Sequence, residues 1–295
     1  MLASAPYLNG GGPRRKARNL IRAFRFLIVV SASLALSTCA GPDRKRAPQQ
    51  SETPTAESSA PTHPEATGVS PAASEPTALA TTGGTLIGEV VFEGQPPARE
   101  LVNMDADAYC QDAQRRPAYS QSVEVNSNGT LKNVFVYAKE GVTGSYAVPT
   151  EPVILSQRGC QFSPHVFGIQ VGQPLRIVNG DSTFHNIHAR PRINHEFNIG
   201  QPSAGFQTTK RFEAAEVPVR LSCDLHKWMV AYAGVLSHPY FAVTNGAGAF
   251  EIKGLLPGNY VIAAWQEKYG LQTQAVTISG EESKTLIFTF RERHP

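Results

Sequence analysis

Hydrophobic and polar residues alternate along most of the chain from Thr85 onward, and turn residues interrupt the alternation. Such alternation is typical of half-buried β-strands, whereas only residues 105–114 have a weakly helical pattern. Short alternating segments separated by turns favour β-sandwiches over a parallel sheet, so we predict an all-β fold. The clearest predicted strands cover residues 86–92, 131–137, 169–178, 260–265 and 285–290.

The first 39 residues have the pattern of an export signal. Basic residues between Arg14 and Arg25 precede a mostly apolar run at 26–36, which is shorter than the roughly 20 residues of a membrane-spanning helix. The sequence that ends at Cys39 resembles a bacterial lipobox, in which the cysteine is lipidated and becomes the new N-terminus. The alternative is an ordinary signal peptide in which Cys39 has no role.

Residues 40–84 differ in composition from the rest of the chain. They contain seven prolines and no aromatic residue, among many Ala, Ser, Thr and Glu residues. A segment of this kind buries too little apolar surface to offset the entropy lost on ordering. We therefore predict a disordered linker that holds the folded part away from a membrane.

The charge of the chain argues against nucleic-acid binding. Lys and Arg number 27 and Asp and Glu number 24, for a net charge of +3. Six of the basic residues precede Cys39, so cleavage there leaves 21 basic residues against 24 acidic ones. A mature chain that is slightly acidic lacks the basic surface that nucleic-acid binding requires.

The main chemical signal is a cysteine, a histidine and a methionine spaced three residues apart, at Cys223, His226 and Met229. A second histidine, His185, lies about forty residues upstream. Two His and one Cys with a weak axial Met form the ligand set of blue-copper sites. One tight loop between two strands could supply three of these ligands, with His185 on a neighbouring loop.

Other interpretations of these residues remain open. A Cys-x-x-His pair by itself is also compatible with a buried cysteine beside a surface histidine. Zinc accepts Cys and His but is rarely bound by Met. Haem attachment requires Cys-x-x-Cys-His, and this motif has one cysteine.

Two runs, 161–172 and 179–188, together with the Cys-x-x-His-x-x-Met loop, resemble the cupredoxins of the plastocyanin and amicyanin type. The resemblance covers residues 150–238 and implies a cupredoxin β-sandwich with one type 1 copper ion. It implies that Asn186 hydrogen-bonds across to the cysteine loop. One departure is Lys227, where the short-loop members commonly have Pro. The copper ligands implied by the resemblance are His185, Cys223, His226 and Met229.

Two further cysteines remain once Cys39 is assigned to lipid and Cys223 to metal. Because an exported chain folds where disulfides persist, we predict a bond between Cys110 and Cys160. The alternative is that both are free buried thiols.

The C-terminal part has the pattern of a second sandwich. Asn245-Gly246 between alternating segments predicts a hairpin turn, and Pro257-Gly258 predicts another tight turn. Residues 248–260 resemble carboxypeptidase regulatory-like and transthyretin-like β-sandwich modules, within the broader immunoglobulin-like class. Such modules begin with a strand like 88–97, so we predict one sandwich from residues 85–149 and 239–291, split around the cupredoxin. The rival arrangement is two sandwiches in tandem.

The predicted function is an exported, membrane-tethered copper protein that carries single electrons between redox protein partners and is not an enzyme. An oxidase or nitrite reductase would need a second copper site with more histidine clusters. The alternative is a non-catalytic protein that stores copper or binds carbohydrate or protein at the cell surface. We expect a periplasmic or cell-surface location.

Overall fold

The computed structural model describes residues 83–114 and 117–292, and nearly all of their regular structure is β-strand. The predicted all-β class is therefore confirmed. In chain order the elements are β1 (Gly84–Glu93), α1 (Ala108–Ala113), β2 (Phe135–Glu140), β3 (Val153–Gln157), β4 (Phe162–Ser163), β5 (Val166–Gln170), β6 (Leu175–Asn179), β7 (His185–Arg190), β8 (Phe197–Gln201), β9 (Gln207–Lys210), β10 (Glu216–Ser222), β11 (Val230–Leu236), β12 (Phe241–Val243), β13 (Ala249–Leu255), β14 (Gly258–Gln266), β15 (Gly270–Ile278) and β16 (Ser283–Arg291).

The N-terminal predictions fall outside this part of the chain. The predicted signal segment 1–39, with Cys39, and nearly all of the linker 40–84 lie outside the described residues. Within the described residues, no helix combines the length and the apolar character that crossing a membrane requires.

The outer sandwich consists of β1, β2 and β12 to β16. One sheet has the strand order β13-β1-β16, and the other has the order β12-β2-β14-β15. In β1, Leu86, Val90 and Phe92 are buried while intervening residues are more exposed, as the alternation predicts. These side chains pack with Ile262 and Phe288 in one apolar core.

The central sandwich consists of β3 to β11. Its two sheets have the orders β5-β11-β10-β7-β8 and β4-β3-β6-β9. The core between them contains Leu155, Ile177, Ile187 and Val219. The ends of β7 and β10 at one edge of this core position the candidate site.

A third buried cluster joins the two sandwiches. Its members come from β2 and β14 on one side and from β5 and β11 on the other: Phe135, Tyr137, Ala263, Val166 and Leu236. Gly234 in β11 lies directly against the Phe135 ring, because a Cβ atom placed there would be 2.1 Å from the ring. Gly168 in β5 has the same relation to Phe241, at 2.2 Å. Because glycine has no side chain, the Phe135 and Phe241 rings can lie directly against this sheet.

The hairpin predicted at Asn245-Gly246 is wrong. The turn is present, but it connects strands of different sheets, since β12 pairs with β2 and β13 pairs with β1. The Thr244 hydroxyl donates to the Leu131 carbonyl over 2.8 Å and accepts from the Val134 amide over 3.0 Å. These bonds hold the end of β12 beside the start of β2, which the local turn signal could not indicate.

Candidate metal centre

Strand pairing brings the predicted ligands to one end of the central sandwich. His185 is the first residue of β7, Cys223 directly follows β10, and Met229 directly precedes β11. The strands β7 and β10 are antiparallel, with His188 opposite Ser222. The start of β7 therefore lies beside the loop that follows β10.

The loop from Cys223 to Met229 is closed by its own backbone. The Cys223 amide donates to the Met229 carbonyl over 3.1 Å, and the Met229 amide donates to the His226 carbonyl over 2.8 Å. The His226 amide also donates to the Cys223 sulfur over 3.5 Å. These bonds fix the conformation of the loop that carries Cys223, His226 and Met229.

Three of the predicted ligands have donor atoms in mutual proximity. The Nδ1 atoms of His185 and His226 are 2.9 Å apart, and the Cys223 sulfur is 3.8 Å from the His226 Nδ1. Donor atoms of all three residues lie within 4.8 Å of one another. Relative exposure is 0% for His185, 1% for Cys223 and 4% for His226. Met229, 1% exposed, belongs to the same buried cluster as Cys223.

A carboxylate faces the second nitrogen of each imidazole. Asp181 Oδ2 is 3.0 Å from the His185 Nε2, and Asp107 Oδ2 is 3.1 Å from the His226 Nε2. Each Nε2 therefore carries a proton and donates a hydrogen bond to a carboxylate. This arrangement leaves the Nδ1 atom of each ring as the one that could bind a metal ion, as in histidines that bind metals through one nitrogen and donate from the other.

The two aspartates are themselves held in place. Asp181 accepts from the backbone amides of Gly159 and Cys160 over 2.7 and 2.8 Å. Asp107 caps α1 by accepting from the Cys110 amide over 3.1 Å. Both rings are thus oriented by groups with little freedom to move.

The electrostatics of the cluster favour a cation between the imidazoles. Burial works against the charged form of His185, but its bonds to Asp181 and Cys223 outweigh burial and raise its pKa to about 9. Burial lowers the pKa of His226 despite its bond to Asp107. Burial opposes ionisation of the Cys223 thiol, yet its bond to His185 and nearby backbone bonds lower its pKa. A proton on His185 thus separates the two Nδ1 atoms, and a metal ion would take its place.

Asn186 links β7 to the cysteine loop. Its Oδ1 accepts from the Asp224 amide over 2.7 Å, and its Nδ2 donates to the Asp224 carboxylate over 3.0 Å. The Cys223 thiol, when protonated, donates to the same Oδ1 over 3.1 Å. The contact from Asn186 to the loop is the one that the resemblance implies.

The predicted disulfide between Cys110 and Cys160 is confirmed, with Cα atoms 5.6 Å apart. The sequence did not indicate that this disulfide lies beside the candidate site. The Cys110 sulfur is 3.8 Å from the His226 Nε2. The bond fixes α1 beside the candidate centre, and with it Asp107.

The sequence did not assign roles to Asp107 and Asp181. Asp181 lies four residues before His185, a spacing that could have drawn attention to it. Asp107 is 119 residues from His226, and no local pattern marks it. Both carboxylates became apparent only from the fold.

The donor set fits copper. A thiolate, a thioether and two imidazoles are acceptable to both Cu(I) and Cu(II), since sulfur ligands favour the first and imidazole suits both. Zinc would accept the cysteine and histidines but gains little from Met229. The residues are therefore a coherent candidate site for one copper ion.

No protein-family model and no curated protein matches this chain. Part of it is similar to the Cu-containing nitrite reductase from Thermus scotoductus SA-01, with 21% identity and a TM-score of 0.26 over 33% of this chain and 25% of the reductase. A purple cupredoxin from Nitrosopumilus maritimus is 22% identical with a TM-score of 0.25, over 28% of this chain and 97% of the cupredoxin. A mutant of amicyanin in the Cu(I) state is 12% identical with a TM-score of 0.26, over 35% and 98%. The chain thus spans a quarter of the reductase, and we base its function on the donor geometry.

Proposed function

We propose that this chain binds one copper ion as a type 1 centre through His185, Cys223, His226 and Met229 and carries single electrons. The observation that supports it most is the convergence of two imidazole Nδ1 atoms and one thiolate in a buried cluster. Bound copper would supply a one-electron couple. Four donors from the chain leave little room for a substrate, which favours a carrier over an enzyme.

The residues around the ligands support this role by holding the donors in place. Asp107 and Asp181 fix the rings, and Asn186 ties the cysteine loop to β7. Fixed donors reduce the rearrangement that accompanies a change of oxidation state, and burial excludes water. Both effects suit fast transfer of one electron to a redox protein partner.

The test is the colour of the purified full chain after copper addition. We expect strong absorption at about 600 nm from a Cu(II)–thiolate bond. Cys223→Ser should abolish this band, whereas His195→Ala should retain it, because His195 has a side chain that is 93% exposed and stands apart from the cluster. Tight copper binding without the band would favour storage over electron transfer, and preference for zinc would contradict the proposal.

We propose further that the protein is exported and held at a membrane by lipid on Cys39. The basic run, the short apolar segment and the lipobox-like residues support this location. Cys39→Ser should release the protein from the membrane fraction or leave an uncleaved precursor. Unchanged membrane attachment and unchanged mass would contradict the anchor.

We also propose that the outer sandwich is one module, formed by residues 85–149 and 239–291, into which residues 150–238 are inserted. The pairing of β1 with both β13 and β16 supports this organisation over a tandem one. The resemblance of the outer sandwich to carboxypeptidase regulatory-like modules stays a prediction.

A further inference from the structure

The edge of His226 that faces away from the other ligands is covered. Its Nε2 lies 3.1 Å from Asp107 and 3.8 Å from the Cys110 sulfur, and only 4% of the residue is exposed. The disulfide between Cys110 and Cys160 holds this cover in place. An electron that reaches the centre through His226 must therefore pass through a neighbouring group.

Trp228 is such a neighbour. Its ring centroid is 5.0 Å from that of His226, and its indole N–H donates to the Cys160 carbonyl over 2.9 Å. The ring is half-buried and forms part of the wall of a cavity of about 450 Å³. Trp228 thus touches both the candidate ligand and a space open to small molecules.

The lining of the cavity also includes a buried pair of polar groups, His165 and Glu267. The His165 Nδ1 donates to the Val230 carbonyl over 3.0 Å, because a carbonyl can only accept. The His165 Nε2 faces a Glu267 carboxylate oxygen at 3.2 Å. Side-chain exposure is 7% for His165 and 10% for Glu267. Both residues line the cavity, and because both His165 nitrogens are already engaged, the Glu267 carboxylate is the group of this pair that can accept a hydrogen bond from a guest.

Aromatic surface and hydrogen-bonding groups meet in this cavity. Tyr232 packs edge-on against His165 at 5.9 Å between ring centroids, and both lie in the same wall as Trp228. The volume falls in the range of about 300–1,000 Å³ that is typical of small-molecule sites. Lys227, which is exposed, also borders the cavity. A flat ring with hydroxyl groups matches such a lining, since the ring stacks and a hydroxyl donates to the Glu267 carboxylate.

We propose that this cavity binds a small aromatic diol and that Trp228 is the contact through which the diol exchanges electrons with the centre. The exchange rests on the proposed copper function, but the binding does not. Copper held by His185, Cys223, His226 and Met229 would supply the acceptor for one electron from a bound hydroquinone, and one hydroxyl proton would pass to the cavity wall. The Glu267 carboxylate can accept that proton, so charge and atoms balance.

Binding is tested on the metal-free full chain with 1,4-benzenediol by titration calorimetry. We expect saturable binding that weakens at least tenfold in Trp228→Ala and in Glu267→Gln, and that is unchanged in His195→Ala. Cyclohexane-1,4-diol has the same hydroxyls without the aromatic ring and should bind far more weakly. Absence of benzenediol binding, or equal binding of the two diols, would overturn the assignment.

The route is tested on the copper-loaded chain. At benzenediol concentrations that saturate both proteins, the absorption at about 600 nm should bleach at least tenfold more slowly in Trp228→Leu than in the parent, while voltammetry gives the same reduction potential for both. Equal rates would exclude Trp228 as the contact. If copper produces no such band, the copper function fails, whereas diol binding by the metal-free chain is judged separately.

Discussion

Single side chains decide the chemistry of the candidate centre, and the balance between its sulfur and nitrogen donors is the most informative part. The donor atoms of Cys223 and the two histidines lie close together. Met229 is linked to them by its place in the same buried cluster as Cys223 and by the backbone hydrogen bonds of the loop. An axial thioether is a weak ligand that tunes the reduction potential more than it binds the metal. Met229 is therefore the residue at which mechanism and mere packing can be separated.

Substitutions at Met229 should change the potential without emptying the site. Met229→Gln supplies a harder oxygen donor, which favours Cu(II) and lowers the potential. Met229→Leu removes the donor and makes the surroundings more apolar, which disfavours the higher charge of Cu(II) and raises the potential. We expect each shift to reach about 59 mV, a tenfold change in the one-electron equilibrium.

Voltammetry on the parent and both variants measures these shifts, with His195→Ala as a surface control. If all four proteins have the same potential, Met229 only packs the core, and the ligand set loses its fourth member.

At the same scale, the sequence indicates candidate ligands more readily than it indicates the groups that orient them. Cys223, His226 and Met229 are visible because a fixed spacing of three carries chemical meaning. Asp107 has no such mark, because the distance of 119 residues from its histidine is closed only by the fold. Residues that orient a ligand in this way are brought to it by tertiary contacts, so a local sequence pattern cannot identify them.

Among the elements, α1 has an importance that its six residues do not suggest. Its cap, Asp107, orients His226, and Cys110 within it forms the disulfide with Cys160. The weak helical pattern at 105–114 and the number of cysteines made the helix and the bond predictable. The position of α1 beside the centre was not predictable, because it depends on where the fold of the central sandwich places Cys160.

Removal of the disulfide should therefore affect stability and the site together. The double variant Cys110→Ser, Cys160→Ser opens a loop of 50 residues, and the chain-entropy model then predicts a loss of about 4 kcal/mol in the free energy of unfolding. Chemical denaturation measures the loss. Hydrogen exchange should also increase in residues 107–113, because α1 is no longer fixed beside His226, while β1 should keep its protection. Unchanged exchange in α1 would show that other contacts hold it.

For the molecule as a whole, the alternation of residues predicts the class of fold but not which strands pair. All three residues of β12 are partly buried, and its sequence is compatible with a hairpin to β13 or with pairing to β2. The choice is made by bonds from Thr244 to residues more than a hundred positions away. The shared core around Phe135 likewise joins segments far apart in sequence.

This shared core leads to a prediction about cooperativity. Since Phe135 of the outer sandwich packs on Gly234 of the central one, the described part of the chain should unfold in one calorimetric transition. Gly234→Ala places a methyl group where the Phe135 ring now lies, 2.1 Å away, and should cost about 1–3 kcal/mol through overpacking. The strain falls on the contact between the sandwiches, so the transition should broaden or divide into two.

Gly246→Ala is the matched control for this change. Gly246 has no heavy atom within 4 Å of an added Cβ and does not adopt a positive φ, so the same substitution adds a methyl group without a clash. Its calorimetric trace should match that of the parent. Two separate transitions in the parent would contradict the prediction, because they would mean that each sandwich is stable without the other and that the Phe135 contact contributes little. A loss of stability in Gly246→Ala equal to that in Gly234→Ala would show that an added methyl group destabilises the protein without meeting Phe135, and the shared core would no longer explain the loss.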